Sequence, residues 1–486
     1  QHTWLRRQRQ MCIRDRVCYQ EEVRDPSRMA EVLNRVIEKA FRGSAPAQIN
    51  VPRDYWTQVI DIELPPIVRF ERQGGGKEAI ESAAKLLSKA KFPVILSGAG
   101  VVLGGAIDEC KKLAEKLDAP VCNGYQHNDS FPGSHPLAVG PLGYNGSKAA
   151  MELISKADVV LALGTRLNPF STLPGYGIDY WPKKATIIQV DMNPDRIGLT
   201  KKVSVGICGD AKQVAQQILD KLSSDAGNTG REERKNLIHK TKSAWLQTLS
   251  GLDHEEDDPG TVWNKEARER DKDRMSPRQA WRAIQDALPQ DAIISSDIGN
   301  NCAIGNAYPT FEKPRKYLAP GLFGPCGYGF PAILGAKIGC PDTPVVGFAG
   351  DGAFGISMNE MSSCAREEWP AITMVIFRNY QWGAEKRNSI LWFDDNFVGT
   401  ELDPELSYAK VANACGLKGV TCKTMEETTK AIKQSCEDQK KGITTFIEII
   451  LNQELGEPFR RDAMKKPVKV AGIKKEDMKK QPSLIS

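Results

Sequence analysis

Apolar and polar positions along this chain fall into alternating blocks that predict strand-helix-strand units, and the clearest block runs from Val345 to Gly383. An apolar run, Val345 to Ala349, leads into Gly350-Asp351-Gly352. Apolar residues then recur at helical spacing, Phe354, Met358, Met361 and Ala365, before a second apolar run, Ile372 to Phe377, with Asn379 just beyond it. A right-handed crossover makes two such strands parallel, so Asp351 and Asn379 are expected at one carboxyl edge, where open α/β sheets bind ligands.

The same reading organises the rest of the chain. Met29, Val32, Leu33, Val36, Ile37 and Ala40 form the apolar face of a helix opened by Pro26-Ser27, and Ala47 to Val51 follows as a short strand. Gly74-Gly75-Gly76 reads as a linker into an α/β domain over 77–225, with strands Pro93 to Leu96, Val159 to Leu163 and Thr186 to Val190. Residues 226–275 read as a solvated, charge-rich connection around a helix near Arg234 to Leu249. Ser276-Pro277 opens a further α/β domain over 276–451, with a strand at Ile293-Ile294, helices near Tyr408 to Cys415 and Glu426 to Cys436, and a final strand Thr444 to Ile450. Residues 452–486 read as a basic tail. Residues 1–16 have no period and no signal-peptide character, and Met11 to Arg16 looks like a translated sequencing adapter, so this stretch is set aside as extraneous. The remainder is expected to be a fragment without its native beginning.

At 486 residues the chain has room for about three domains, and 41% hydrophobic and 26% charged residues are those of a soluble globular protein. No run reaches the ~18 apolar residues of a membrane span. The net charge of +5 owes +4 to residues 1–16, which hold five Arg and one Asp, so charge offers no case for a nucleic-acid partner. The twelve Cys lie mostly in apolar or glycine-rich segments without CxxC pairs, which favours reduced thiols in a cytoplasmic protein, and the five His show no metal-ligand spacing.

The candidate chemistry sits at Asp351 and Asn379. One carboxylate, one amide oxygen and one backbone carbonyl suit Mg²⁺, which draws further oxygens from water and phosphate. Flanking glycines let backbone approach a diphosphate. A Gly-Asp-Gly alone is an ordinary turn; with the strand-helix-strand setting, the stretch resembles the thiamin diphosphate signature, Gly-Asp-Gly followed by a pair of asparagines. Here Arg378-Asn379 stands for the pair, so the first Asn is replaced and the metal-binding one is kept.

That resemblance implies a fold class of α/β type: a Rossmann-like central domain and a diphosphate-binding α/β domain, with 17–66 as the C-terminal remnant of a pyrimidine-binding domain. It implies thiamin diphosphate and Mg²⁺ as cofactors, with Asp351, Asn379 and Gln381 on the metal. Asn300, Asn301, Gly324, Cys326, Gly327, Gly350, Asp351, Gly352, Ala353, Asn379 and Gln381 are the residues expected at the cofactor, Cys326 standing where the family has the Met that bends it. The Ser97-Gly98-Ala99-Gly100 turn lacks the third glycine of a dinucleotide fingerprint. His127 and His135 lie in a loop that is either structural or at the border of the active site.

Arg378 to Asn388, Leu391 to Glu401 and Glu457 to Pro467 narrow the resemblance to the sulfoacetaldehyde acetyltransferases. These enzymes convert sulfoacetaldehyde and phosphate to acetyl phosphate and sulfite through an acetyl group on the cofactor, in the breakdown of taurine and other organosulfonates. Arg378, Lys386 and Arg387 are the expected cations for the two anionic substrates, or else surface charge. A homodimer or homotetramer is implied. The glutamate that activates the cofactor belongs to a region upstream of Val17, so no catalytic residue is named, and the chain by itself is expected to hold the metal-diphosphate without turnover. The competing readings are a 2-oxo acid enzyme such as acetolactate synthase, and a noncatalytic diphosphate-binding fragment.

Overall fold

A computed structural model describes residues 16–43, 45–64, 71–143, 145–252, 269–321, 323–366, 368–392 and 396–453. The charged stretch 253–268, the motif residues Phe393 to Asp395 and the tail from 454 onward lie outside the described residues. The chain divides into two compact units, residues 1–72 and residues 73–486.

The first unit is small. Strands β1 (Tyr19–Glu22) and β2 (Ala47–Asn50) pair in parallel, and α1 (Met29–Gly43) forms the crossover. Val32 and Val36 of α1 are buried with Val23. The helix begins after a turn at Pro26–Arg28 whose cap is Asp25, with Asp25 Oδ1 accepting from Ser27 N at 2.9 Å. Leu33 and Ile37, expected on the buried face, are 43% and 45% exposed within this unit. Strand β1 escaped the sequence reading because Tyr-Gln-Glu-Glu carries almost no apolar signal.

The second unit holds two all-parallel six-stranded sheets, as the fold class requires. In chain order the first comprises α2 (Lys77–Lys89), β3 (Pro93–Ser97), α3 (Ala99–Gly104), α4 (Ile107–Leu117), β4 (Val121–Asn123), β5 (Ala138–Pro141), α5 (Lys148–Ile154), β6 (Val159–Leu163), β7 (Thr186–Asp191), β8 (Val205–Cys208) and α6 (Ala211–Lys221). Its strand order is β5-β4-β3-β6-β7-β8. Strands β3, β4 and β6 are buried at every position, which is why they read as continuous apolar runs and not as alternation. The glycines of the Ser97–Gly100 turn are explained by packing: a Cβ on Gly100 would come within 2.6 Å of Gly164 Cα.

Helix α7 (Arg231–Leu252) follows. The connection expected to be solvated holds a buried anchor here. Arg234 donates to the carbonyls of Asp118 (2.9 Å), Leu117 (2.8 Å), Lys91 (2.7 Å), Thr229 (2.9 Å) and Gly227 (2.6 Å), closing the C-terminal end of α4. Asp271 is buried too, pairing with Arg274 at 2.7 Å and accepting from Gln453 N at 3.2 Å.

The second sheet comprises α8 (Pro277–Ala287), β9 (Ile293–Ser296), α9 (Asn300–Ile304), β10 (Tyr317–Leu318), α10 (Gly329–Gly339), β11 (Val345–Gly350), α11 (Asp351–Ser357), α12 (Met361–Cys364), β12 (Thr373–Arg378), α13 (Gly383–Trp392), α14 (Tyr408–Ala414), β13 (Lys418–Cys422), α15 (Met425–Gln439) and β14 (Thr445–Ile450). Its strand order is β10-β9-β11-β12-β14-β13. Ser276 and Gln279 form a capping box at α8. Side chains alternate across the sheet into two cores: Trp281 packs on Phe348 (4.8 Å between centroids) and Phe377 (5.2 Å), while Phe330 on the other face packs on Phe354 and Phe446 (5.5 Å each). The single helix expected from Ala353 to Ala365 is two short pieces, α11 and α12, joined by a turn at Met358–Glu360. Gly352, Gly355 and Ser357 leave α11 too little helix propensity to continue.

Candidate functional site

Gly350 at the end of β11 is paired with Phe377 of β12, so the next residues of both strands emerge together at the carboxyl edge of the second sheet. Asp351 and Asn379 are 1% and 2% exposed. They line one cleft with Gln381, Gly350, Gly352, Ala353, Asn300, Asn301 and Cys326, which brings together nine of the eleven residues expected at a cofactor. Gly324 and Gly327 lie in the neighbouring loop and are not among the lining residues.

Asp351 is held from several sides. Its Oδ2 accepts from Arg378 Nη1 at 3.1 Å and from Tyr380 N at 2.7 Å, and its Oδ1 accepts from Gly352 N at 2.9 Å. Burial pushes its carboxyl up to about 6 against the opposing pull of Arg378 and the two backbone N–H groups. Reaching Asp351 places Tyr380 in the left-handed region, φ 62°, a strained conformation for a tyrosine. Gly352 has a steric role, since a Cβ there would lie 2.8 Å from the Trp382 ring.

The three cations expected to meet substrate anions have different fates. Arg378 is enclosed: besides Asp351 it faces Glu448 Oε1 at 3.7 Å, donates to the carbonyls of Asp403 and Leu406, and lies over the rings of Tyr380 (4.3 Å) and Tyr408 (5.4 Å). Lys386 is tied to Glu401 Oε1 at 2.5 Å and Gln453 Oε1 at 3.3 Å. Both charges are thus met within the protein, because strand β14 and the segments before α14 and after β14 present acceptors to them. Arg387 points the other way, donating from Nη1 to Asn300 Oδ1 at 2.6 Å. Burial lowers its guanidinium to about 10.

Several site residues were not singled out in the sequence. Asp297 organises the glycine-rich loop: its Oδ1 accepts from Ile298 N (2.7 Å) and Gly327 N (3.1 Å), and its Oδ2 from Gly329 N (2.7 Å). Burial raises its carboxyl in spite of these bonds. An acid at the end of a strand, before Ile298-Gly299, was the available signal. Tyr125, after β4 in the first sheet, interacts with Arg387, and burial pushes its phenol up to about 12. Its segment docks on the second sheet through Asn128 Nδ2 to Asn306 O at 2.9 Å and Lys316 N to Asp129 Oδ2 at 3.0 Å. The loop holding His127 therefore borders the site, while burial lowers His127 to about 4. Gln453 donates to Asn379 O at 3.3 Å and to Glu401 Oε2 at 3.0 Å. Ile298, Gly299, Trp382, Gly383, Ala384 and Glu385 complete the lining.

What the cleft can hold follows from its atoms. Among the described residues no group of three His, Cys, Asp or Glu is placed around a metal, so an ion here must use amide and backbone oxygens beside Asp351. The buried amide oxygens Asn301 Oδ1 and Gln381 Oε1 have no hydrogen-bond partner among the described residues. A Cβ on Gly350 would meet nothing within 4 Å, so that wall is open. These features fit a hard cation carried with an anionic, water-bearing group. No helix among the described residues is long and apolar enough to cross a membrane.

Comparison with known proteins agrees with this geometry. The thiamine pyrophosphate enzyme central domain matches residues 80–218, and the C-terminal thiamine pyrophosphate binding domain matches 297–449. A probable sulfoacetaldehyde acetyltransferase of Rhizobium meliloti (strain 1021) is 78% identical over 465 residues, 96% of this chain and 79% of the relative. The sulfoacetaldehyde acetyltransferase of Roseovarius nubinhibens is 75% identical over 96% of this chain and 78% of its own length. A probable acetolactate synthase large subunit of Methanocaldococcus jannaschii is more distant, 28% identical over 85% of this chain and 68% of the relative.

Proposed function

This chain belongs to the thiamine pyrophosphate enzymes and, among them, to the sulfoacetaldehyde acetyltransferases, and we propose that it converts sulfoacetaldehyde and phosphate to acetyl phosphate and sulfite. The observation that carries this is the convergence of Asp351, Asn379 and Gln381 with Asn300, Asn301 and Cys326 on one cleft, in a chain 78% identical to a relative of that name. In this reading Asp351, Asn379 and Gln381 hold Mg²⁺, and Gly350, Gly352, Ala353, Asn300 and Asn301 receive the diphosphate. Cys326 supports the middle of the cofactor on the loop held by Asp297, with Gly324 and Gly327 giving that loop its turns at φ 61° and 84°. When bound, thiamin diphosphate supplies the nucleophilic carbon and the electron sink that this chain's side chains lack.

The protein's own contribution is placement. Arg378 and the Tyr380 N–H orient Asp351; Gln453 and the Lys386–Glu401 pair fix the backbone at Asn379. Arg387, held by Asn300 at the cleft and beside Tyr125, is the cation assigned in this reading to a sulfonate or phosphate. The same reading carries a homodimer or homotetramer in the cytoplasm, working in organosulfonate breakdown.

The test is sulfite release from sulfoacetaldehyde with thiamin diphosphate, Mg²⁺ and phosphate. It is run on the chain as it stands and on the chain joined to the upstream region of the Rhizobium relative. Sulfite and acetyl phosphate in equal amounts are expected from the active form. Cofactor binding without sulfite in either form, with carbon dioxide released from pyruvate, would move the assignment to 2-oxo acids. Arg387→Met is expected to raise the KM for sulfoacetaldehyde or phosphate about 10- to 100-fold, the scale of a lost charge-assisted hydrogen bond. Two KM values within about threefold of the parent's would remove Arg387 from substrate binding.

A further inference from the structure

The charge-rich connection between the two sheets carries, near its end, a buried acid that the chemistry above does not use. Asp271 is 2% exposed. Its Oδ1 accepts from Arg270 Nε at 2.9 Å and its Oδ2 from Arg270 Nη2 at 3.0 Å. Arg274 Nη1 lies 2.7 Å from Oδ1, and Oδ2 also accepts from Gln453 N at 3.2 Å. Charge-assisted contacts of this kind hold a geometry more firmly than neutral ones.

From this carboxylate two routes of contact lead to the cleft, and they end on different strands. The first runs through Gln453. Its Nε2 donates to the carbonyl of Asn379 at 3.3 Å, and its own carbonyl accepts from Gln381 Nε2 at 3.4 Å. That bond engages the nitrogen end of the Gln381 amide, whose Oε1 has no hydrogen-bond partner among the described residues. The same segment is laid on the connection, Asn452 N donating to Met275 O at 2.9 Å.

The second route runs through Arg274, whose guanidinium lies 4.7 Å from the centre of the Tyr380 ring. Tyr380 N is a donor to Asp351 Oδ2, at 2.7 Å, and it sits there at φ 62°. A strained backbone of this kind persists where its surroundings hold it. Arg274 and Arg378 supply the hold, at 4.7 and 4.3 Å from one ring. Two like charges share that ring because each has its own acid, Asp351 for Arg378 and Asp271 for Arg274.

Resting on the reading of Asp351, Asn379 and Gln381 as metal ligands, we propose that Asp271 is a positioning residue of the metal site, fixing ligands from two strands relative to each other. Mg²⁺ demands a near-ideal octahedron, whereas Ca²⁺ accepts irregular shells at longer distances. Slack between Asp351 and Asn379 therefore weakens Mg²⁺ binding more than Ca²⁺ binding. Asp271 thus sets metal preference without touching the ion.

The test is calorimetric affinity for thiamin diphosphate with Mg²⁺, with Ca²⁺ and without metal, on both forms of the polypeptide used in the sulfite assay. Asp271→Asn keeps the size and an acceptor for Gln453 N and removes the charge between Arg270 and Arg274. Its Mg²⁺-supported affinity is expected to fall about 10- to 100-fold, the range for an outer partner of a metal site, and its Ca²⁺-supported affinity less than about threefold. Metal-free binding is expected to stay at the parent value. Arg274→Met, at a partly exposed position, is expected to shift the Mg²⁺/Ca²⁺ ratio the same way. The double variant is expected to lose less than the two single losses combined, because both act through one cluster. Where Asp271→Asn does not fold, the ratio of Arg274→Met decides. Equal losses with both metals would make the cluster a stabiliser of the fold alone and overturn the proposal, as would an unchanged ratio or full additivity. A parent that binds equally with and without metal, in both forms, would end the metal-ligand reading itself and the proposal with it.

Discussion

Arg378→Met is expected to lower the stability of the second unit by about 3–5 kcal/mol, the cost of removing one partner from a buried charge cluster. The cluster consists of Asp351, Arg378 and Glu448, with side chains 1–2% exposed. Arg378, at the end of β12, stands between carboxylates from the strands on either side: Asp351 follows β11, and Glu448 of β14 is paired with Ile376 of β12. Ser407 Oγ at 2.7 Å and Tyr408 N at 3.2 Å still support Glu448 without it, and Tyr380 N still supports Asp351. Those bonds soften the loss but cannot neutralise two buried charges. The Asp403–Leu406 segment would also lose the donor that pins its carbonyls. Differential scanning calorimetry is the check, and a fall in Tm on the order of 10 °C is expected. Arg378→Lys should recover little, because an ammonium cannot reproduce the planar fork that reaches two carboxylates and two carbonyls. A Tm for Arg378→Met within about 2 °C of the parent's would show the cluster to be energetically idle.

This cluster also shows where reading the sequence stops. The strand-helix-strand unit around Gly350-Asp351-Gly352 was legible because its signals are local: two apolar runs, a turn between them, and a parallel crossover that sets Asp351 beside Asn379. Besides Asp351 and Tyr380, the partners of Arg378 come from further along the chain, from β14 and from the segment before α14, and nothing near Arg378 in sequence names them. Arg378, Lys386 and Arg387 therefore looked equivalent as cations after a metal-binding strand, and tertiary placement separated them. Tyr125 is a stronger case, because it reaches the site from the other sheet and carries no motif. Helix α11 failed for a different reason: apolar spacing promised a long helix, while Gly352 makes room for the Trp382 ring and Gly355 for the Tyr408 hydroxyl, at the cost of helix length. In the first unit the apolar period of α1 correctly predicted a helix, but period alone could not tell Val32 and Val36, which are buried, from Leu33 and Ile37, which are largely exposed there.

Asp351→Asn should give the opposite pattern to Arg378→Met, a small change in stability and a large loss of metal-diphosphate affinity. The amide keeps the size of the carboxylate, and its one oxygen can still accept from Tyr380 N, while its NH2 takes the place of the oxygen that accepted from Gly352 N. Removing the charge relieves the desolvation that pushes Asp351 up to about 6, and Arg378 keeps Glu448, two carbonyls and two aromatic rings around it. Loss of the ion pair and relief of desolvation thus oppose each other, so Tm should move little. Binding has no such compensation. Of the residues proposed to hold Mg²⁺, Asp351 alone offers a charge, Asn379 and Gln381 offering neutral oxygens, and a doubly charged ion loses its one anionic protein ligand. Affinity for thiamin diphosphate in Mg²⁺, measured calorimetrically, should fall by more than the 10- to 100-fold typical of losing an outer partner of a metal site. In the absence of metal, parent and variant should bind the cofactor equally weakly, which ties the effect to the ion. An Asp351→Asn protein that holds the cofactor as tightly as the parent would place the metal elsewhere and leave Asp351 as only the structural partner of Arg378.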